Sequence, residues 1–185
     1  MPMPMPMQMM GQATPQACRF ADDGETPNNP ALPLLVYRQA FDVAAVRDPA
    51  TPFEEAFAAH GWGRSWRNGI YDFLHFHTRT HEVLGIACGR ARVQFGGAHG
   101  QELDVEAGDV VVLPAGTGHR RVSASADLLV VGAYPDNSGF DQKRPGQVDH
   151  AHAIAAIAAV PLPRQDPVYG ADGPLTTIWS RPTSG

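Results

Sequence analysis

The chain has 185 residues and a formal net charge of −5 at pH 7, enough length for one folded domain with extensions. Its Lys and Arg residues form no cluster, which argues against nucleic acid or an anionic membrane as a partner. Cys18 and Cys88 are the only cysteines and lie far apart, so we expect free thiols in a reducing compartment, the cytoplasm.

The first 30 residues are rich in Pro, Met, Gln and Asn and show no hydrophobic periodicity. Met and Pro alternate at the start, without the basic segment and continuous apolar run of a signal peptide or membrane helix. We therefore predict a disordered tail over residues 1–30.

Two elements are predicted next along the chain. Residues 34–38 read as an edge strand. Thr51-Pro52-Phe53-Glu54 has the spacing of a capping box with proline at the first helical position. Gly61 can end that helix, which is therefore predicted over 52–60.

From residue 70 the sequence changes to short apolar runs broken by glycine turns. Strands are predicted at 70–77, 82–88, 90–95, 101–105, 109–113, 119–124 and 127–134. Closely spaced antiparallel strands are typical of a barrel or jelly roll. A helix is predicted over 149–159, and the remainder reads as extended. With no internal repeat, we expect one barrel over 31–145 and a C-terminal helix and extended segment over 146–185, packed on it.

Two histidines and a glutamate stand together in the segment Gly69-Ile-Tyr-Asp-Phe-Leu-His75-Phe-His77-Thr-Arg-Thr-His-Glu82. Side chains two residues apart on a strand share a face, roughly 6.6 Å apart, so both imidazoles can aim at one point inside a barrel. The chain can then turn, and Glu82 can face the same point from the next strand. Two neutral imidazoles and a carboxylate are typical ligands of a divalent transition metal.

A second block supplies one more histidine. It runs Gly108-Asp-Val-Val-Val-Leu-Pro114-Ala-Gly116-Thr-Gly-His119 and reads as a buried strand, a Pro/Gly turn and a histidine entering the next strand. Together the two blocks predict one metal site, whose ligands are His75, His77, Glu82 and His119.

These two blocks resemble the two motifs of the cupin superfamily. The first fits G-x5-H-x-H-x4-E-x6-G at every fixed position, and the second fits G-x5-P-x-G-x2-H-x3-N except that Ser123 replaces the final Asn. Strings such as WRNGIYDFLHFHTRTHEVLG and VVGAYP look like the YjlB-like cupin family. The resemblance implies an all-β, single-domain, RmlC-like double-stranded β-helix, the jelly-roll barrel, with short flanking helices.

His81 adjoins Glu82 in the sequence but falls in the turn. Side-chain alternation would point it to the face opposite to that of Glu82. We therefore expect it to be an outer partner of the metal site, and its direct use as a ligand is the alternative.

Strand alternation also predicts the wall of a cavity around the metal. Tyr71 shares the face of the first two histidines, Arg121 and Ser123 share the face of His119, and Tyr134 closes the last strand. An arginine and tyrosines beside a metal can bind a carboxylate or enolate oxygen, so Tyr71, Arg121 and Tyr134 are candidate substrate-binding residues. The alternative for Arg121 is a surface ion pair at the rim.

Four protein ligands leave one or two positions open on the metal, which suits Lewis-acid catalysis or chemistry with O₂. We expect one divalent ion per chain, with Fe, Mn, Ni and Zn left open. Small cupins with this quartet resemble dioxygenases, so a dioxygenase-like enzyme acting on a small polar or anionic metabolite is predicted. A non-catalytic small-molecule or metal-binding module and a metal-dependent isomerase are the alternatives. Exposed sheet edges are usually covered or paired, and pairing across a dimer is common among cupins, so we expect a homodimer.

Overall fold

A computed structural model describes residues 14–136 and 138–180. Nine strands are described: β1 Gln16–Cys18, β2 Leu34–Tyr37, β3 Trp62–Asn68, β4 Glu82–Cys88, β5 Arg90–Phe95, β6 Gln101–Glu106, β7 Val110–Leu113, β8 His119–Ala124 and β9 Leu129–Pro135. The three helices are α1 Thr51–Ala59, α2 His150–Ala158 and α3 Pro174–Ile178. No helix in the described ranges is both long enough and apolar enough to cross a membrane.

The strands form two antiparallel sheets. One has six strands in the order β1-β2-β7-β4-β9-β3, and the other has three in the order β6-β5-β8. Their apolar inner faces enclose a core that includes Leu84, Ile86, Val93, Phe95 and Val111. The all-β jelly roll predicted from the sequence is thereby confirmed.

The six-stranded sheet is covered on both faces, and β4 shows how. Leu84 and Ile86 point into the barrel, while Val83 and Ala87 point outward into a second apolar layer. Side chains alternate along a strand, so Glu82 shares the inward face with Leu84. The outer layer contains α1 and the C-terminal segment, whose large buried side chains are Phe53, Phe57, Leu175 and Trp179.

The strand predicted over 70–77 is wrong. This segment forms only isolated bridges, from His75 to His119 and from Phe76 to Lys143. The strand that precedes it is β3, which pairs with β9 along the sheet edge. Only Trp62 of β3 is buried, so this edge strand lacks the alternating apolar pattern on which sequence prediction depends.

Two expectations for the N-terminal part also need correction. Residues 34–37 are not an edge strand, because β2 lies between β1 and β7 and all four residues are buried. The tail predicted over 1–30 is too long: β1 is part of the sheet, and the buried Asn28 amide donates to the carbonyls of Ala21 and Gly96. Residues 1–13 of that predicted tail lie outside the described residues.

Helix α1 begins one residue earlier than predicted, and the capping box is wrong. Ala50 is the N-cap, and no side chain caps the helix. Instead, the Thr51 hydroxyl donates to Asp48 at 3.0 Å, and Glu54 accepts from Arg67 of β3 at 2.6 Å. These acidic groups therefore tie the helix to the edge strand.

Candidate metal centre

The four predicted ligands come together at one end of the barrel. Glu82 begins β4 and His119 begins β8, while His75 and His77 lie on the irregular segment before β4. Two backbone hydrogen bonds, from His75 N–H to His119 C=O at 3.1 Å and back at 3.0 Å, hold that segment beside β8. The chain thus positions two of the imidazoles by a bridge rather than by a full strand.

The donor atoms of this quartet face each other. One nitrogen from each of His75, His77 and His119 lies within 4.8 Å of the others. The Glu82 Oε1 lies 3.3 Å from His77 Nε2 and 3.4 Å from His119 Nε2. All four residues are buried. The three histidines can therefore hold a metal ion, and Glu82 is placed to join them.

Backbone carbonyl oxygens orient each imidazole ring through a hydrogen bond to its Nδ1. The Nδ1 of His75 donates to Phe73 at 3.0 Å, and the Nδ1 of His119 donates to Thr117 at 3.1 Å. His77 makes the equivalent bond to the carbonyl of Asp141. Each Nδ1 is thereby occupied by a carbonyl oxygen, which leaves Nε2 as the nitrogen that can bind a metal, as in most metal-bound histidines.

The charges of the quartet are strongly coupled. Burial, reinforced by His119, lowers the pKa of His75 to about 3, so this ring is neutral at physiological pH. Burial also disfavours charge on His77, but Glu82 and Asp141 outweigh it and raise the pKa to about 8. Burial by itself would raise the pKa of Glu82, yet His77 and His119 hold it far below its usual range. Glu82 is therefore an anion among imidazoles.

The donor spacing fits a transition metal ion. Two donors that each lie about 2.0–2.2 Å from one ion are roughly 3.0–3.5 Å apart when they are neighbours in its coordination shell. The two distances from Glu82 to the imidazoles, 3.3 and 3.4 Å, fall in this interval. Three nitrogens and one carboxylate oxygen match Fe, Mn, Ni and Zn better than Ca or Mg, which prefer oxygen ligands.

Trp66 and Tyr134 form a hydrogen-bonded pair, and Tyr134 lies near Glu82. The Trp66 indole N–H donates to the Tyr134 hydroxyl at 3.0 Å. Burial and the nearby Glu82 carboxylate raise the pKa of Tyr134, so the hydroxyl stays protonated. Trp66 lies so close over Gly132 that a Cβ there would come within 2.1 Å of the ring. Tyr134, predicted to bind substrate, thus also lies beside a proposed metal ligand.

The quartet opens into a cavity of about 560 Å³. Its apolar walls include Trp66, Ile70 and Leu84, and its polar groups include Arg121. A volume in this range suits a small metabolite. Open metal positions would therefore face a space large enough for a ligand.

Arg121 lines this cavity, as strand parity predicted. It pairs with Val93, whose side chain is in the barrel core, while Arg120 pairs with Gln94 and donates to it at 2.7 Å on the outer face. Arg121 also lies 4.0 Å from the exposed Asp72 carboxylate, so the alternative ion pair at the rim is present as well. Ser123 does not share this face, because a register shift at Val122 moves it to the exposed side with Arg92.

His81 is buried just before β4 and does not line the cavity. Its Nδ1 accepts from the Ala115 N–H at 2.9 Å, so its Nε2 donates to the Pro161 carbonyl at 3.1 Å. The ring also packs against Trp179. Both nitrogens have protein partners, which disfavours its use as a ligand and makes it a link between the second motif and the C-terminal segment.

Comparisons with known proteins place this site in a family. The family model described as Cupin matches residues 67–160. The uncharacterized protein YjlB of Bacillus subtilis (strain 168) is 38% identical over 160 residues, covering 86% of this chain and 93% of the relative. The chain belongs to the cupin family. The cupin resemblance carried by the two motifs and the YjlB-like resemblance carried by the longer strings are both confirmed.

Several solved structures align with part of this cupin. Acireductone dioxygenase from Bacillus anthracis, with a cadmium ion in its active center, is 14% identical at a TM-score of 0.37, covering 57% of this chain and 78% of that one. A mutant of Bacillus subtilis oxalate decarboxylase OxdC is 19% identical at 0.36, covering 60% and 27%. Pumpkin seed globulin is 24% identical at 0.36, covering 43% and 22%. The chain therefore spans about a quarter of the oxalate decarboxylase chain and about a fifth of the globulin chain.

Sequence analysis missed one part of the site, the segment 138–144, which we call the strap. It crosses beside His75 and His77 and pairs with the residue between them, through two hydrogen bonds between Phe76 and Lys143 of 2.9 Å each. The Asp141 carboxylate accepts from the Thr78 N–H at 2.8 Å, from the Thr78 hydroxyl and from the Arg79 N–H at 3.1 Å. No motif spacing links residues 64 positions apart, so only the fold reveals this contact.

We expect Asp141→Ala to weaken metal binding. The carboxylate holds the turn that follows His77, and its pKa lies below the usual range because the hydrogen bonds at Thr78 and Arg79 outweigh the effect of burial. Loss of such an outer partner lowers metal affinity by about 10–100-fold. Calorimetric titration with Zn²⁺ measures the change. Asp149→Ala is the matched control, since this exposed carboxylate makes no capping hydrogen bond. Equal affinities for the two variants would contradict the role of Asp141.

Proposed function

We propose that this cupin is a metal-dependent enzyme that acts on a small anionic metabolite, with dioxygenase-like chemistry. His75, His77, Glu82 and His119 would hold one divalent ion per chain. The observation that carries the proposal is the convergence of three buried histidine nitrogens, with the Glu82 carboxylate 3.3 and 3.4 Å from two of them, on a cavity that also contains Arg121.

The residues around the quartet have separable tasks in this proposal. Arg121 provides a fixed positive charge and a planar pair of donors for a substrate carboxylate. Tyr71 lines the same mouth and can donate a further hydrogen bond. Ile70 and Leu84 exclude water from the inner end of the cavity. Tyr134 contributes beside Glu82, where its protonated hydroxyl favours the anionic carboxylate.

A bound divalent ion would supply Lewis-acid polarisation of a substrate oxygen and, for a redox-active metal such as Fe, electron transfer to O₂. The protein's part is to keep His75 neutral and Glu82 anionic before the ion arrives. The pKa of His75 is lowered mainly by burial, whereas the pKa of Glu82 is lowered by His77 and His119 against the effect of burial.

Metal reconstitution followed by an oxygen-uptake screen tests the proposal. Protein stripped by chelator should bind about one equivalent of Fe(II), Mn²⁺, Ni²⁺ or Zn²⁺ per chain. The Fe(II) form, loaded anaerobically, should then consume O₂ with at least one small carboxylate from a metabolite panel. Failure to bind any of the four ions stoichiometrically would overturn the proposal.

Two other outcomes of the same screen would replace the proposed function with one of its two alternatives. Stoichiometric binding of metal and carboxylate without turnover would identify a non-catalytic binding module. Conversion of a substrate to an isomer without uptake of O₂ would identify a metal-dependent isomerase. Both alternatives use the same quartet, so the product and the oxygen balance separate them.

We also propose that the chain assembles as a two-fold homodimer in the cytoplasm. The support for the dimer is β1, the three-residue strand at one edge of the six-stranded sheet, whose outer side is unpaired among the described residues. Exposed sheet edges are commonly covered by pairing with another chain. Light scattering at micromolar concentration should give about twice the chain mass, and a strict monomer would contradict the dimer.

A further inference from the structure

Two large apolar side chains are exposed at the mouth of the cavity. The described residues contain four exposed large hydrophobic side chains, Tyr71, Val122, Phe140 and Ile154. Two of the four, Tyr71 at 50% and Phe140 at 52% exposure, line the same cavity. Large exposed aromatic rings beside a binding site are informative, because most such rings in a soluble protein are covered.

Each of these rings is supported from one side. Tyr71 stacks on Phe73 with ring centroids 4.7 Å apart and planes inclined by 23°, and the Arg144 guanidinium lies over the Phe73 ring, 3.8 Å from its centroid. Phe140 stacks on Tyr134 with centroids 4.9 Å apart and planes inclined by 13°. The two exposed rings are therefore held in place before any ligand arrives.

Trp66 provides a further aromatic wall of the cavity. Trp66 lines it and is pressed against the backbone of Gly132, so one face of the indole is already occupied by protein. Rings fixed in this way offer flat surfaces, and they favour a flat partner that can stack or meet them edge to face. A puckered aliphatic ring fills the same volume but makes poorer contacts with such surfaces.

Charge in the cavity complements an anion. Arg121 is a lining residue, and its nearest carboxylate partner, Asp72, is 4.0 Å away and 73% exposed, so this pair is loose. A loosely paired guanidinium can exchange Asp72 for a ligand carboxylate at little cost, because exposed ion pairs contribute little. The walls are thus suited to a ligand with one anionic end and one flat apolar end.

We infer that the ligand of this cavity is a small carboxylate attached to an aromatic or conjugated planar body, and the inference rests on the proposed function for the anion-binding end. The carboxylate lies at Arg121 and the histidine quartet. The planar body lies among Tyr71, Phe140 and Trp66, with Phe140 brought to the cavity by the strap. The inference narrows the substrate class from small anions in general to flat, unsaturated ones.

Benzoate and cyclohexanecarboxylate form a matched pair of probes, because they share a charge and nearly a volume but differ in planarity. Calorimetry with Zn²⁺-loaded protein should show benzoate binding about three- to tenfold more tightly, as expected for one or two aromatic contacts. Phe140→Ala should remove most of this preference while leaving the affinity for acetate unchanged. Ile154→Ala, which truncates an exposed apolar residue of α2, should retain it.

The outcomes separate this inference from the proposed function. Equal or weaker binding of benzoate, failure to bind either probe, or an unchanged preference in Phe140→Ala would each overturn the planar ligand even if metal binds stoichiometrically. If no metal binds, but the stripped protein still prefers benzoate and loses that preference in Phe140→Ala, the proposed metal-dependent function fails and the planar ligand stands.

Discussion

Replacing His77 with alanine is expected to abolish stoichiometric binding of a divalent metal ion while the barrel stays folded. His77 Nε2 lies 3.3 Å from Glu82 Oε1, and its ring is oriented by the Asp141 carbonyl. Loss of an outer partner already costs about 10–100-fold in affinity, and loss of a donor should cost more. Elemental analysis after loading and calorimetric titration with Zn²⁺ measure the effect.

The barrel should survive this change because the apolar core between the sheets does not depend on His77. Glu82 keeps His119 as a partner at 3.4 Å. His99→Ala is the matched control, since this histidine is exposed in the turn between β5 and β6. Thermal unfolding should remain a single cooperative transition in both variants. A His77→Ala protein that still binds one equivalent of metal with native affinity would exclude His77 as a ligand.

Asp166→Ala is expected to destabilise the protein far more than the loss of an exposed carboxylate would. Asp166 is fully buried in the C-terminal segment. Its carboxylate accepts from the Tyr37 hydroxyl on β2 and from the backbone N–H groups of Val168, Tyr169 and Leu175, at 2.8, 3.0 and 3.1 Å. Removing it leaves four donors without this acceptor in the interior, and we expect the free energy of unfolding to fall by about 3–5 kcal/mol.

Urea or thermal unfolding followed by circular dichroism measures that loss. Asp172→Ala, in the same segment but exposed, should change the free energy of unfolding by less than about 0.5 kcal/mol. Tyr37→Phe removes one of the four donors as well as its hydrogen bond, and about 1 kcal/mol is expected. If Asp166→Ala unfolds like the wild type, the C-terminal segment is not held to the six-stranded sheet by this carboxylate.

Much of the fold follows from local sequence. Strands β4, β5, β6, β7, β8 and β9 match predicted strands to within a residue or two, because glycines mark their turns and apolar runs mark their buried faces. Helix α2 likewise falls inside the predicted range. Strand β3 and the short strand β1 were missed, because both lie at sheet edges and their polar residues face solvent. Edge strands are stabilised by pairing with a neighbour that their own sequence does not specify.

The candidate site divides in a similar way. Strand parity and motif spacing predicted a quartet of His75, His77, Glu82 and His119; the structure brings the three histidine nitrogens together, although His75 lies on an isolated bridge rather than in a strand. Side-chain alternation also predicted that Arg121 faces the cavity, and this holds because the register shift in β8 comes after Arg121. Parity failed for Ser123, beyond that shift, because one extra residue in a strand reverses every later side chain.

By itself, the sequence determined the jelly-roll barrel and predicted four residues for one metal site, because both depend on side-chain alternation over a few positions. Only the tertiary structure decided which other groups surround these residues. Asp141 and Phe140 reach the histidines from the strap, and Trp66 reaches Tyr134 from the far edge of the sheet. These contacts join residues more than 60 positions apart, and such pairings depend on how the sheets fold over one another rather than on any local preference of the chain.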